Sequence, residues 1–158
     1  MSAQTNNPQE LRVQAIKNGT VIDHLPAGNV LLIIKLLGGI PKDKIVTLGV
    51  NLKSKAYGQK DLIKIENREL NQDEVDRIAL IAPKASINII RAYKVIKKIT
   101  PQLPEKFKNI ITCPNPSCIT NHERMQTLFK VLNKEHNLLL QCHYCEKQFP
   151  QTEIINYI

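Results

Sequence analysis

Through its first hundred positions the chain carries apolar residues in short runs set off by glycine, proline and polar clusters, the rhythm of alternating strands and helices. Residues 11–17 are apolar and β-branched enough for a strand, and Asn18-Gly19 reads as a turn after it. Residues 28–37 form an apolar helix that Gly38-Gly39 would end. Residues 45–52 (IVTLGVNL) and 61–65 (DLIKI) predict two strands joined through the SKAYGQ segment. A better-marked helix starts at Asn71, which can cap. Glu74 stands three residues later, and Val75, Ile78, Ala79 and Ala82 recur at helical spacing until Pro83. Residues 87–93 and 95–99 supply final strands. The order β-α-β-β-α-β with an extra strand predicts an α+β fold, a ferredoxin-like sandwich with an antiparallel sheet and helices on one face.

The second half reads as β only, with strand candidates at 109–113, 125–132 and 138–142 and a turn at 133–137. Between the halves, Pro101 and Pro104 break any helix and suit an extended connector. All six glycines lie at or before Gly58, so the two halves use different backbone solutions. The expected organisation is a loose, polar stretch over 1–10, one domain over 11–99, a linker over 100–106 and a small domain over 107–158. About fifty residues bury little core, so the second domain needs a staple.

Composition narrows the class. The chain has 158 residues, 42% hydrophobic and 23% charged, which is ordinary globular usage. No apolar run approaches the length of a membrane span, and the N-terminus has neither the basic start nor the apolar core of a secretory signal. The cytoplasm is therefore the expected compartment. The formal net charge of +8 invites a nucleic-acid or phosphate partner. Residues 1–100 hold 16 of the 22 Lys/Arg and 9 of the 14 Asp/Glu, so the basic excess belongs to the first half.

The four cysteines belong wholly to the second half. Cys113 and Cys118 have four residues between them, and Cys142 and Cys145 have two. Two short-spaced pairs at strand ends let four thiolates converge on one tetrahedral zinc at about 2.3 Å. Two disulfides are the structural alternative, seldom kept by a cytosolic chain, and a redox pair at Cys142 and Cys145 would leave the other pair unexplained. Four thiolates would close the site to water, which argues for a structural rather than a catalytic ion. A basic zinc ribbon could bind nucleic acid, but this half is nearly neutral and has few aromatics for stacking on bases.

The lysines of the first half form the other candidate site. In a strand, positions 60, 62 and 64 share one face, so Lys60 and Lys64 project together. At Tyr93-Lys-Val-Ile-Lys-Lys98, simple alternation groups Tyr93, Val95 and Lys97 on one face and Lys94, Ile96 and Lys98 on the other. Each lysine alone is an ordinary solubilising residue; several on one sheet surface would hold a polyphosphate. His24 follows Asp23, which could orient it or bond a ribose hydroxyl. No Walker loop, no G-x-G-x-x-G and no nucleophile elbow is present, so an enzyme is disfavoured.

Taken together, GTVIDH at 19–24, NL at 51–52, KDLIKIEN at 60–67, LIAPKASINII at 80–90 and CPNPSC followed by CHYCEKQF resemble the regulatory chain of aspartate carbamoyltransferase, in order and through roughly residues 11–150. That resemblance implies a non-catalytic chain with an N-terminal allosteric domain and a C-terminal zinc domain. It further implies regulatory dimers, three of which join two catalytic trimers in pyrimidine biosynthesis, with the zinc domain docked on the catalytic chain. The implied ligands are CTP and ATP, with UTP in some members, and no nucleic acid or membrane. By the same resemblance Asp23 and Lys64 would hold the ribose, and His24 and Lys98 the phosphates. Ala15, Ile16, Asn88, Ile90 and Tyr93 would shape the base pocket, Val21 and Val95 would complete the nucleotide-binding set, and Lys60 would meet a phosphate or discriminate among effectors. Cys113, Cys118, Cys142 and Cys145 would hold one zinc ion per chain.

Overall fold

The computed structural model describes residues 13–133, 135 and 137–158. Two antiparallel sheets organise it. The first has five strands in the order β2-β3-β1-β4-β5: β1 (Gly19–Pro26), β2 (Val46–Ser54), β3 (Gly58–Glu66), β4 (Ser86–Arg91) and β5 (Lys94–Ile99). Helices α1 (Val30–Leu36) and α2 (Gln72–Ile78) follow β1 and β3, and the resulting arrangement is the expected ferredoxin-like sandwich with β5 added beside β4. The second sheet has the order β6-β7-β8-β9: β6 (Lys106–Lys108), β7 (Leu128–Asn133), β8 (Leu139–Cys142) and β9 (Gln148–Pro150). No helix among the described residues is long and apolar enough to cross a membrane.

The core of the first sheet is aliphatic. Cross-strand pairing lines up Ile63, Ile22, Ile87 and Ile99 across β3, β1, β4 and β5, and the first three are wholly buried beneath Val30, Ile33, Val75 and Ile78 of the helices. Helix α2 starts as its sequence dictates: Asn71 accepts from the Glu74 amide while the Glu74 carboxylate accepts from the Asn71 amide. Arg68 then donates to Glu74 and to the carbonyl of Leu37, tying the start of α2 to the end of α1.

Five expectations need correction. The described part of the 11–17 segment is not a strand; the first strand begins at Gly19. Gly19 is not a turn residue but a close-approach position, since a Cβ there would sit 2.0 Å from the Ile65 carbonyl oxygen. Helix α2 stops at Ile78, so Ala79 and Ala82 lie in the turns that follow. Residues 109–113 do not form a strand; the edge strand is β6, just before them, and the 133–137 turn lies partly outside the described residues. Nor is the second half β only, because its tail folds as α3 (Gln151–Ile154) and a 3-10 turn at Ile155–Tyr157. The Gln151 side chain donates to the Leu80 carbonyl beyond α2, bridging the halves.

Candidate functional site

The four cysteines are drawn together by the second sheet. Cys142 ends β8, Cys145 follows in the turn toward β9, and Cys113 and Cys118 lie within the connection between β6 and β7. All four sulfurs lie within 4.8 Å of one another, with Cys113–Cys145 at 3.7 Å and Cys118–Cys142 at 3.8 Å. These separations are far beyond a disulfide bond of about 2.05 Å. They match the edge of a tetrahedron about a zinc ion, which is about 3.8 Å for Zn–S of about 2.3 Å. The closest contacts cross the two sequence pairs, so the thiols act as one group of four rather than as a reactive pair with two left over. The residues fit a metal.

Local hydrogen bonding prepares the cluster. Backbone amides of Asn115, Thr120, Tyr144 and Cys145 point at the sulfurs, the Thr120 hydroxyl lies 3.2 Å from Cys118 Sγ, and the Asn121 side chain donates to the carbonyls of Cys113 and Asn115. Burial pushes the Cys113 and Cys142 thiols up. Burial acts the same way on Cys118, but bonds from Thr120 and the neighbouring thiols outweigh it and bring that thiol down to about 7. Thr120 and Asn121 carried no signal beyond their place beside a cysteine.

The second constellation lies on the sheet face turned away from the helices. Cross-strand pairing sets Lys64 beside Val21, Val21 beside Asn88, and Asn88 beside Lys98, one row across four strands. Ile90 pairs with Val95 in a neighbouring position. Simple alternation had separated Val95 from Lys98. A bulge at Ile96, between the pairs Ile90–Val95 and Ile89–Lys97, puts both on the face of Asn88 and Ile90. Ala92 and Tyr93 turn the chain with φ of 49° and 64°, and the Tyr93 amide donates to Lys17, which brings the 15–18 segment alongside. Ile16 is buried there and Ala15 exposed.

Charge on this face is already organised. Lys60 Nζ lies 2.8 Å from Asp23, whose carboxylate also accepts from the His24 amide at 2.6 Å. Lys64 Nζ donates to the Gln14 carbonyl at 2.6 Å; burial lowers its pKa, partly offset by the Asp23 charge. Lys98 is exposed and unpaired among the described residues. His24 sits at a bulge with φ of 59°, its ring edge-on to Tyr57, and it lines a cavity of about 480 Å³ with Leu25, Pro26, Gln59, Ala82 and Lys84. The structure thus brings Val21, Asp23, Lys60, Lys64, Asn88, Ile90, Val95 and Lys98 to one face, with Ala15, Ile16 and Tyr93 at its margin and His24 at its end.

A sheet with lysines on its outer face, joined to a smaller sheet that gathers four cysteines, defines a two-part protein whose second part is built to bind a metal. Comparison with known proteins gives that class its family. Residues 11–102 match the allosteric domain of the aspartate carbamoyltransferase regulatory chain, and residues 105–155 match its metal-binding domain. The chain is similar to the aspartate carbamoyltransferase regulatory chain of Pyrococcus abyssi, 47% identical over 148 residues that cover 92% of this chain and 97% of that one. It is likewise similar to that of Phocaeicola vulgatus (45% over 144 residues, 91% and 92% covered) and of Vibrio parahaemolyticus (46% over 140 residues, 89% and 92%). The chain belongs to the family of aspartate carbamoyltransferase regulatory chains, with an allosteric domain and a cysteine-based metal-binding domain.

Proposed function

We propose that this chain carries nucleotide effectors to the catalytic chain of aspartate carbamoyltransferase: CTP and ATP compete for the outer face of the first sheet, and a structural zinc holds the domain that docks on the catalytic chain. The observation that carries the reading is the row Lys64, Val21, Asn88, Lys98, with Asp23 and Lys60 beside it. Ammonium groups on both flanks of one apolar and amide-bearing strip suit a molecule with a polyanionic tail, a ribose and a flat base. Asp23 and Lys64 would take the ribose, and His24 and Lys98 the phosphates. Lys60 would leave Asp23 or share it when an effector arrives. Ala15, Ile16, Val21, Asn88, Ile90, Tyr93 and Val95 would frame the base through side-chain contacts and backbone groups. For competing ligands to move activity in opposite directions they must prefer different global states, a coupling typically of about 1–3 kcal/mol.

In this reading residues 11–99 form the allosteric domain, 100–106 the linker and 107–158 the zinc domain. Cys113, Cys118, Cys142 and Cys145 hold the ion, which supplies fold rather than chemistry because four thiolates leave it no open position. The chain pairs with a second copy through its allosteric domain, three such dimers join two catalytic trimers in the cytoplasm, and UTP assists CTP.

Calorimetric titration of CTP and then ATP into the zinc-loaded chain, at two salt concentrations, tests the proposal. Saturable binding of one nucleotide per chain is expected, weakened at least about tenfold in Lys98→Ala and Lys64→Ala with zinc content unchanged. Failure to bind either nucleotide, with capture of duplex DNA that weakens by a log–log slope of about −0.9 per phosphate contact, would instead make the chain a nucleic-acid binder.

A further inference from the structure

Asp61 lies between Lys60 and Leu62 on β3, wholly buried, and forms no ion pair with any described residue. Its carboxylate is filled by backbone. Oδ2 accepts from the amides of Gly28, Asn29 and Val30 at 2.8–3.1 Å, and Oδ1 accepts from the Asn51 amide at 3.0 Å. The first three amides form the entry to α1, whose own Asn29 side chain makes no capping bond. The fourth belongs to a residue with φ of 55° in a bulge of β2, where Val50 and Asn51 stand between the pairs Gly49–Leu62 and Leu52–Lys60.

The other neighbour of β3 is bulged at the same level. In β1, Asp23 and His24 stand between the pairs Ile22–Ile63 and Leu25–Asp61. That bulge decides what the ligand face presents. Strict alternation from Ile22 would send His24 toward the helices and Leu25 outward. With the bulge Leu25 returns to the core at 1% exposure, while His24 takes φ of 59° and stays at the surface beside Asp23. What fixes the far end of the bulge is the pairing of Leu25 and Pro26 with Asp61 and Lys60, followed at once by the turn whose three amides Asp61 holds.

We infer that Asp61 is a positioning residue for the nucleotide site: its carboxylate locks the two bulges and the entry to α1, and so sets Asp23, His24 and Lys60 where an effector meets them. The inference rests on the nucleotide reading above. It also gives the ligand face a route through the sheet, because Asp61 shares the core face of β3 with Ile63 and Ile65 while Lys60 and Lys64 occupy the other. An effector that moves Asp23 and Lys60 therefore pulls on the amides that open α1.

The test uses the full zinc-loaded chain in two measurements. In Asp61→Asn the one remaining oxygen can at best keep the amides of Gly28, Asn29 and Val30, and the NH2 group then opposes the amide of Asn51. At a temperature where circular dichroism and zinc content equal those of the native chain, CTP should bind about tenfold more weakly. A purely structural role would lower the melting temperature and leave the affinity of the folded protein unchanged. The second measurement needs no variant: on titrating the native chain with CTP, the amide resonances and hydrogen exchange of Gly28, Asn29, Val30 and Asn51 should change together with those of Asp23 and His24. If Asp61→Asn does not fold, the amides alone decide. Native CTP affinity in Asp61→Asn, or four amides unmoved while Asp23 and His24 respond, overturns the inference and leaves the nucleotide reading intact. Absence of CTP binding to the native chain overturns both.

Discussion

Two opposing demands meet at the Lys64 ammonium. In the proposed site it donates to the ribose of a polyanionic ligand and does so best when charged, yet burial lowers its pKa from the ordinary 10.5, with Asp23 recovering part of the loss. For a group whose folded pKa is depressed, the contribution to stability is present above the unfolded pKa and is lost as pH falls through the folded one. At neutral pH the charged Lys64 is thus a cost to the free fold, relieved in part by the Gln14 carbonyl and, in the proposed complex, further by the ribose oxygens and the charge of the nearby phosphates. CTP affinity should accordingly fall as pH rises, beginning below the 10.5 of a free lysine. Lys64→Arg should retain binding and lose that alkaline limb, because a guanidinium stays protonated there. Calorimetry from about pH 7 to about pH 10 reads both. An identical limb in the arginine variant would assign the titration to another group.

The two helices of the first domain differ in where their start signals reside. Helix α2 is capped by residues inside its own first turn, Asn71 and Glu74. Asn71→Ala should therefore cost about 1 kcal/mol of unfolding free energy, read as a lowered denaturant midpoint at unchanged slope, with zinc content unaffected. Helix α1 has no such box; its entry amides go to Asp61, some thirty residues away in sequence. This difference explains what could be read from residues alone. Local signals gave α2 its start, and the spacing of the cysteines gave the thiol cluster its four members, because both are short-range patterns. The start of β1 was misplaced because Asn18-Gly19 has the chemistry of a turn, whereas Gly19 is there to let β1 approach Ile65. The bulges at Asp23-His24, Val50-Asn51 and Ile96 arise from pairing with strands distant in the chain, so alternation alone assigned Val95 and Lys98 to opposite faces. The role of Asp61 was hidden for the same reason, since its donors come from two other elements.

At the scale of the whole molecule, the sheet bearing the row from Lys64 to Lys98 and the sheet holding the thiols differ in what stabilises them. The first rests on an aliphatic core between one sheet and two helices, which continues into the buried residues of the second. The second has four short strands around Phe107, Phe129, Leu140 and Phe149, with the thiol cluster at one end. Structural zinc sites of this kind bind with about 10–16 kcal/mol, comparable with the whole stability of a small domain. Removing the metal should therefore not loosen the second sheet by degrees but melt it. Cys142→Ser, which leaves three thiols and breaks the closure of β8 on the cluster, should lose zinc and the C-terminal fold together. The N-terminal sheet should persist at a lower melting temperature, because it loses the Gln151 bond to Leu80 and its share of the common apolar cluster but keeps the aliphatic residues packed between its own sheet and helices. CTP should still bind, since no residue of its row lies beyond Lys98, while association with the catalytic chain should be abolished. Metal analysis, calorimetry and co-elution with the catalytic chain separate these outcomes. Full zinc stoichiometry in Cys142→Ser would refute the ligand assignment, and loss of CTP binding along with zinc would show that the two sheets fold as one unit rather than two.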